Sequence, residues 1–353
     1  MAEALSCDLV CEGGGVKGIG LAGAWSLLYE RGYRPKRIAG TSAGAITAAL
    51  IAAGYTGAEV KQVLLPETGP FDFNQFKDKG WEDRIPGAGP MLSILFQQGI
   101  FEGRFFYEWM RGLLANKGVR TFADLPVDDG ASCLQVIVSD LTARELLVLP
   151  RDAARLGFDS PLELEVALAV RMSMSIPLFF EPVRFINPKT NREHLLVDGG
   201  MLSNFPVWLF DCGEDQELRW PTFGMLLVEP DPRTPLSERM PKVEHEPKGL
   251  KGLGHLLSGL LHTALEAHDR LYLERAQFAR TISIPTLGVG TVEFELSNDR
   301  AKKLYQSGRD AAEDFLAHWD FEAYKEEFRK GRSERRREVV AEQFHQRRAE
   351  ARA

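Results

Sequence analysis

The chain contains 353 residues, of which 44% are hydrophobic and 26% charged, and it carries a formal net charge of −7. This composition is typical of a globular protein with a sizeable core. The acidic balance argues against a chain-wide nucleic-acid-binding surface, which would be basic. Glu3 stands where a secretory leader would carry basic residues, and no apolar run approaches the about 18–20 residues that span a bilayer. We therefore predict a cytoplasmic protein without a transmembrane segment, which meets lipid only at a membrane surface.

The four cysteines are predicted to be reduced and mostly buried. They form no Cys-x-x-Cys pair, and no neighbouring histidines complete a zinc site. Free cysteine packs like a small hydrophobic residue, so we expect these four to contribute to the core: Cys7, Cys11, Cys133 and Cys212.

The first part of the chain alternates strands and helices. A short apolar strand at 9–11 ends in a glycine-rich turn, and a helix is predicted from about 18 to 29. A second strand at 37–39 leads into residues 40–44, and a helix of small apolar residues then runs to about Ala53. This alternation predicts a parallel sheet covered on both faces.

The remaining elements are predicted from apolar runs and helical spacing. The strands are expected at 134–138, 146–149, 194–197, 223–228 and 281–284. The helices are expected at 163–172, within 250–279, and at 298–318 with Ser297 or Asn298 as the cap. We expect helices and loops around the sheet at 66–132 and a mobile linker at 230–249.

The C-terminal end differs in composition from the rest. From Glu322 to Ala353 apolar residues nearly vanish, and ten basic residues accompany seven acidic ones. We predict one domain over residues 1–320 and a charged tail, helical or disordered, over residues 321–353.

One motif predicts a catalytic serine. Gly40-Thr41-Ser42-Ala43-Gly44 follows a strand and opens a helix, which is the context of the Gly-x-Ser-x-Gly nucleophile elbow. Gly40 and Gly44 permit the sharp turn that exposes Ser42, and the amides at the helix start favour negative charge. The alternative is a simple tight turn.

A second motif predicts an oxyanion site. Gly13-Gly14-Gly15-Val16-Lys17-Gly18 follows the first strand, and its backbone N–H groups suit a developing negative charge, with Lys17 adding positive charge nearby. The segment also satisfies the Gly-x-Gly-x-x-Gly pattern of dinucleotide sites, but the second strand ends in Gly40-Thr41-Ser42 without the acidic residue that such a site requires. A phosphate-binding P-loop is disfavoured because Ile19 follows Gly18.

A third motif places an acidic residue after a strand. Asp198-Gly199-Gly200 follows the strand at 194–197, so the carboxylate lies at a loop tip where it can approach another element. The alternative is a tight turn with a capping aspartate.

Together the three motifs resemble the patatin-like phospholipase family. Arg171 to Pro177 is similar to the family's Arg-x-Ser-x-x-Ile-Pro segment, and residues 294–308 are similar to the closing part of bacterial members, so the resemblance spans about residues 7–317. It implies a three-layer α/β/α fold with a mainly parallel sheet and hydrolysis of lipid esters. It also implies that Ser42 is the nucleophile, Asp198 its base, and the amides around Gly14 and Gly15 the oxyanion hole, with no metal or other cofactor.

Alternative mechanisms and functions remain open on the sequence alone. A Ser-His-Asp triad needs a histidine after Asp198, and six residues qualify by position: His245, His255, His262, His268, His318 and His345. The nearest functional rival is a soluble-ester esterase or a thioesterase. A non-catalytic binding protein and a dinucleotide-dependent oxidoreductase are the alternatives from other classes.

Three segments are candidates for peripheral membrane contact. These are the apolar stretch Met91 to Phe106, the leucine-rich segment 250–265 with Lys248 and Lys251, and the cluster Arg332 to Arg337. For the first two segments the structural alternative is core packing or a lid over the acyl pocket, and for the arginine cluster it is a solvated charge run. The expected partner is a lipid or a membrane surface, with no nucleic acid and no identified protein activator.

Overall fold

The computed structural model describes most of the chain. The described residues are 4–65, 103–128, 130–177, 179–211, 217–228, 275–291 and 296–330, together with Gly259, Thr263 and Glu293. The linker predicted at 230–249, most of the amphipathic helix predicted within 250–279, Cys212 and the end of the tail from 331 lie outside the described residues.

A mixed sheet forms the centre of the fold. In the described part of the chain it has eight strands: β1 (Leu5–Cys11), β2 (Tyr33–Thr41), β5 (Leu134–Asp140), β6 (Glu145–Leu149), β7 (Val183–Ile186), β8 (Glu193–Asp198), β9 (Thr222–Val228) and β10 (Thr281–Pro285). Their order is β10-β9-β1-β2-β5-β8-β7, and β6 pairs with β5. The five strands from β10 to β5 pair in parallel, whereas β6, β8 and β7 join by antiparallel pairing. A separate hairpin pairs β3 (Val127–Asp128) with β4 (Ala131–Ser132).

Helices flank this sheet. They are α1 (Ile19–Glu30), α2 (Ala43–Ala52), α3 (Gly57–Leu64), α4 (Gly103–Ala115), α5 (Val166–Ser173), α6 (Arg275–Phe278), α7 (Asn298–His318) and α8 (Phe321–Lys325). Ser297 caps α7, its hydroxyl accepting a hydrogen bond from the Arg300 amide at 3.4 Å. Within the described residues, no helix combines the length and the apolar character needed to cross a bilayer.

Both faces of the sheet are buried. Leu9 and Cys11 of β1 belong to the main core, whereas Val10 between them packs in a second cluster with Phe205 and Phe210. Because successive side chains of a strand point to opposite faces, this division shows that the central strands are covered on both sides. The fold is the three-layer α/β/α arrangement with a mainly parallel sheet that the sequence predicted.

Most predicted elements are confirmed; the strands are longer than predicted, whereas the helix predicted at 163–172 is shorter, at Val166–Ser173. The strand predicted at 37–39 extends over Tyr33–Thr41, since Tyr33 to Pro35 pair with β1 although their side chains are only partly buried. Strand β7 was missed because its apolar residues are interrupted by Arg184 and it lies at the sheet edge. Cys7, Cys11 and Cys133 are free and buried as expected, and burial raises the pKa of each thiol.

The sheet register brings the predicted motifs to one edge. Cys11, the last residue of β1, is level with Gly40 of β2 and with Met225 of β9. The loops that follow these parallel strands therefore emerge side by side, which is where α/β proteins build their sites.

The backbones of α1 and α7 are in direct contact through glycines. A Cβ added at Gly308 of α7 would lie 1.9 Å from the Gly20 carbonyl oxygen, and one at Gly23 would lie 1.9 Å from the Tyr305 carbonyl oxygen. Because backbone cannot move aside as a flexible side chain can, the two helices pack this closely only with glycine at both positions.

We expect Gly308→Ala to lower the free energy of unfolding by about 1–3 kcal/mol or more through overpacking. Gly112→Ala is the matched control, since Gly112 lies in α4, is exposed, and has no atom within 4 Å of an added Cβ. That control should raise stability by about 0.5–1 kcal/mol, the helical preference of alanine over glycine. Urea denaturation followed by circular dichroism measures both changes. Unchanged stability in Gly308→Ala would contradict the contact.

Candidate active site

Ser42 lies in a strained turn between β2 and α2. Its backbone angles are φ 53° and ψ −127°, which place a non-glycine residue in a conformation that L-residues rarely adopt. A Cβ at Gly40 would lie 2.3 Å from the Gly44 carbonyl oxygen, and one at Gly44 would lie 2.3 Å from the Cys11 carbonyl oxygen. The turn thus needs glycine on both sides of the serine, as a nucleophile elbow does.

The Ser42 side chain is nearly buried, and its hydroxyl has a weak hydrogen-bond acceptor. Its hydroxyl donates to the thioether sulfur of Met174 at 3.7 Å, and its backbone amide donates to the Ser173 hydroxyl at 2.8 Å. Because sulfur is a weak acceptor, the hydroxyl proton is not held strongly in this orientation.

Asp198 is the last residue of β8 and is fully buried. Its Oδ1 accepts a hydrogen bond from the Gly200 amide at 2.8 Å, whereas its Oδ2 has no hydrogen-bond partner among the described residues. Burial raises the pKa of Asp198 from its ordinary value of 3.8 to about 7, and the nearby Ser42 hydroxyl and the Gly200 amide partly oppose that rise. The carboxyl group therefore titrates near neutral pH, with one oxygen left to accept a proton.

The segment that ends α5 supports both Ser42 and Asp198. The Ser173 hydroxyl accepts from the Ser42 amide, and the Ser175 carbonyl oxygen accepts from the Asp198 amide at 2.9 Å. Arg171 donates to the Ser175 hydroxyl, and burial lowers the pKa of this arginine to about 10. The Arg171–Pro177 motif resembles that of the family, but its pattern alone predicts no role for these residues.

The glycine-rich loop follows β1 and faces Ser42. Gly15 has a φ of +55°, and a Cβ there would lie 2.0 Å from the Thr291 carbonyl oxygen. Three amides of the loop are already bonded: Gly13 donates to the Asn204 carbonyl at 3.0 Å, Val16 to Thr291 at 3.1 Å, and Lys17 to Gly14 at 3.1 Å. The amides of Gly14 and Gly15 have no hydrogen-bond partner among the described residues.

The other predicted residues of the site have packing roles in the structure. Gly18 ends the 3-10 turn Gly15–Gly18, and a Cβ there would lie 3.0 Å from that of Ala43. A Cβ at Gly199 would lie 2.3 Å from the Ile137 carbonyl oxygen, so this glycine lets the chain after Asp198 pass close to β5. Gly200 supplies the amide that binds Asp198.

Asn204 and Glu12 were not predicted but contact the glycine-rich loop. Asn204 Nδ2 donates to the Gly13 carbonyl oxygen at 3.0 Å and to Glu12 Oε1 at 3.4 Å. Glu12 Oε2 in turn accepts from the Leu227 amide of β9. Glu12 directly precedes the glycine-rich loop, but Asn204 stands four residues after Gly200 and its local sequence carries no signal for this contact.

These groups line one small pocket. Its walls come from the predicted residues Gly13, Gly14, Lys17, Ser42 and Asp198, and from Glu12, Ile176, Asn204, Leu227 and Thr291. A space of about 30 Å³ is open to a water-sized sphere, which is enough for a water molecule. The structure thus brings the serine, the aspartate and the glycine-rich loop together.

An apolar pocket adjoins this one through the shared residue Ile176. It is enclosed almost entirely by apolar surface and is lined by Gly15, Val16, Gly18, Ile19, Ala43, Ile46, Thr47, Leu64, Met174 and Ile176. Since Met174 also contacts the Ser42 hydroxyl, the pocket begins beside the serine.

The described histidines lie outside the pocket lining. His318 is exposed on α7 and its Nδ1 lies 2.8 Å from the Asp314 carbonyl oxygen, whereas His194 Nδ1 lies 2.6 Å from Asp140 Oδ2. The other candidates for a triad lie outside the described residues: His245, His255, His262, His268 and His345.

The architecture is that of an α/β protein whose candidate site lies at the carboxyl edge of a mainly parallel sheet. The structure of VipD from Legionella pneumophila shares the fold, with a TM-score of 0.50 at 17% identity over 89% of this chain and 67% of that chain.

Sequence comparison identifies the family. The family described as patatin-like phospholipase matches residues 9–211. The chain is 38% identical over 315 residues to the uncharacterized protein YqhO of Bacillus subtilis (strain 168). The aligned region covers 89% of this chain and 99% of that protein. It is 25% identical over 221 residues to the uncharacterized NTE family protein MT2641 of Mycobacterium tuberculosis (strain CDC 1551 / Oshkosh). That aligned region covers 60% of this chain and 29% of that protein. The chain belongs to the patatin-like phospholipase family, which supports a lipid acyl hydrolase in general terms.

The raised pKa of Asp198 predicts a pH-dependent loss of stability. Between its ordinary value of 3.8 and about 7, the folded state binds a proton that the unfolded state releases, so stability falls as the pH rises through this window. Asp198→Asn removes the titration and should be more stable than the wild type at pH 8, by on the order of a few kcal/mol. The free energies of unfolding of the wild type and Asp198→Asn should become equal near pH 4. Denaturant unfolding at both pH values measures the difference, and parallel stability curves would contradict the assignment.

Proposed function

We propose that this protein is a phospholipase A-type acyl hydrolase that cleaves carboxylic esters of lipids through Ser42 and Asp198. The observation that carries the proposal is the unpaired Oδ2 of a fully buried aspartate in the same pocket as a serine on a strained turn. Membership of the patatin-like phospholipase family supports it. Family membership gives no support to the alternative hypothesis of a dinucleotide-dependent oxidoreductase.

The first half-reaction transfers the acyl group to the serine. The Ser42 hydroxyl turns from Met174 to Asp198 Oδ2, and the carboxylate takes its proton as Oγ bonds to the ester carbonyl carbon. The carbonyl oxygen becomes an oxyanion, for which the unpaired amides of Gly14 and Gly15 are the proposed donors. When the tetrahedral intermediate collapses, the ester C–O bond breaks and Asp198 returns the proton to the leaving alkoxide.

The second half-reaction releases the fatty acid. A water molecule gives a proton to Asp198 and attacks the acyl-serine carbonyl, and the proton then returns to Ser42 Oγ as the acyl–enzyme bond breaks. A base with a pKa near the working pH combines the required ionisation with useful basicity. A carboxyl group whose pKa burial raises to about 7 fits that role at neutral pH.

The adjoining apolar pocket is the proposed site for the acyl chain. Its lining includes Met174, which contacts the Ser42 hydroxyl, and Ala43, Val16 and Ile46. Its lack of polar surface favours an alkyl chain over a polar acyl group. Because the ester substrate is a lipid, contact with a membrane surface is part of the proposal.

Hydrolysis of phospholipid vesicles tests the two catalytic residues. We expect fatty-acid release by the wild type and its loss by at least about 10³-fold in Ser42→Ala and Asp198→Asn, since each removes a group required for covalent catalysis. Ser26→Ala is the matched control, because Ser26 is equally buried but donates to Gly57 at 2.8 Å away from the pocket. It should retain activity.

The outcomes separate the proposal from its rivals. Release that survives Ser42→Ala in a folded protein would overturn the mechanism. Turnover of a short soluble p-nitrophenyl ester or a thioester, with none of vesicles, would favour a soluble-ester esterase or a thioesterase.

The acyl-pocket assignment predicts a shift in chain-length preference. Ile46→Ala removes a side chain from the pocket wall, so the profile of kcat/KM across p-nitrophenyl esters should move to longer chains, each fitted methylene contributing about 1–3 kcal/mol. Ile51→Ala on the same helix is the control, as Ile51 is similarly buried but does not line the pocket. Equal profiles for the two variants would refute the assignment.

A further inference from the structure

Asn204 binds both backbone polar groups of Gly13, one through its backbone and the other through its side chain. The Gly13 amide donates to the Asn204 carbonyl oxygen at 3.0 Å, and the Gly13 carbonyl oxygen accepts from Asn204 Nδ2 at 3.0 Å. A methyl group on Gly13 would lie 2.2 Å from Asn204 Oδ1 and 3.1 Å from Ser42 Cβ. Gly13 is therefore enclosed between Asn204 and the serine.

The second of these bonds fixes more than the Gly13 carbonyl. That carbonyl and the Gly14 N–H belong to one peptide unit, which is planar and trans, so the two groups point in opposite directions. Holding the oxygen on Asn204 thus fixes the direction of the Gly14 N–H, which has no hydrogen-bond partner among the described residues.

Among the described residues, the Asn204 side chain is the hydrogen-bond partner of the Gly13 carbonyl oxygen, so its loss frees this peptide to rotate. Glycines on both sides rotate more freely than other residues because they lack a Cβ. A peptide flip would withdraw the Gly14 N–H and turn the Gly13 carbonyl oxygen toward its former position. A partial negative charge would then replace a donor at the place where negative charge develops.

Asn204 is itself held by parts of the same site. Glu12 Oε1 accepts from its Nδ2 at 3.4 Å, and the neighbouring Ser203 carbonyl accepts from the Thr41 hydroxyl at 3.1 Å. The Ser203 amide also donates to the Gly199 carbonyl at 3.0 Å. These bonds connect Asn204 with the residue before Ser42 and with the residue after Asp198.

We propose that Asn204 is a positioning residue that locks the Gly13–Gly14 peptide with the Gly14 N–H directed at the oxyanion. The inference rests on the proposed hydrolase function and assigns a role in it to a residue outside the dyad. Asn204 also lines the pocket, but the role inferred here is exerted through its hydrogen bonds to the glycine-rich loop.

Steady-state kinetics of Asn204→Ala and of the near-isosteric Asn204→Asp are the first test. Since removing one oxyanion donor costs about 10²–10³ in rate, we expect kcat to fall by up to that factor while KM changes little. Asn187→Ala is the matched control, because Asn187 Nδ2 donates to the Arg155 carbonyl at the same 3.0 Å but outside the pocket. It should keep the wild-type kcat. Unchanged kcat in both Asn204 variants would overturn the inference.

A spectroscopic readout separates positioning from general destabilisation. An alkyl trifluoromethyl ketone adds to the serine hydroxyl and forms a hemiketal whose ionised oxygen occupies the oxyanion position, and ¹⁹F NMR follows its ionisation with pH. We expect the hemiketal of Asn204→Ala to ionise at a higher pH than that of the wild type. A merely structural role would lower the amount of adduct without moving its titration.

The result also distinguishes this inference from the proposed function. A wild-type hemiketal that is absent in Ser42→Ala, with identical titrations in wild type and Asn204→Ala, would overturn the role of Asn204 and leave the nucleophile intact. A wild type that forms no adduct and hydrolyses no ester would overturn the function itself.

Discussion

The unpaired oxygen of Asp198 is the constraint around which the site is built. A carboxylate without water or full hydrogen bonding is unfavourable, and here one oxygen binds the Gly200 amide while the other has no hydrogen-bond partner among the described residues, although the Ser42 hydroxyl lies near enough to lower the pKa. The structure can keep it there because β8 ends inside a sheet that is covered on both faces, and because the Asp198 amide is bonded to Ser175. The resulting pKa near neutral suits the role of base that we propose for Asp198.

Strain at Ser42 and close backbone contacts place the other groups around that carboxyl group. The positive φ of Ser42 is maintained because Gly44 packs on the end of β1, and because Ser173 binds the serine amide. The glycine-rich loop packs on Thr291 and Asn204 in the same way. Glycines at the close backbone contacts thus allow the loops after β1, β2 and β8 to converge on one small pocket.

The parts of the site that the sequence predicted are those with a local backbone requirement. Ser42, Asp198 and the glycines stand in short motifs, because a sharp turn or a close approach restricts the residue type at fixed spacing. The parallel core was likewise readable from apolar runs and helical spacing. Strand β7 was not, because an edge strand with a charged residue lacks that pattern.

The residues that support the motifs were missed for a different reason. Ser173 meets Ser42 across 131 positions of sequence, and Asn204 meets Gly13 across 191. Nothing in the local sequence of a serine or an asparagine reports a partner so distant. The same holds for the glycine-rich loop, where only the fold shows that the amides of Gly13 and Lys17 are already bonded.

The order of strands in the sheet has a consequence for how the chain reaches this state during synthesis. Strand β1 lies between β2, which follows it almost at once, and β9, which begins only at Thr222, while α1 meets α7 at Gly308. Strand β1 therefore keeps an open edge until β9 has been made, and α1 keeps an uncovered face until α7 has been made. Contacts so far apart in sequence form slowly and leave intermediates prone to aggregation. Molecular chaperones that shield such surfaces are therefore expected to matter most for this N-terminal region.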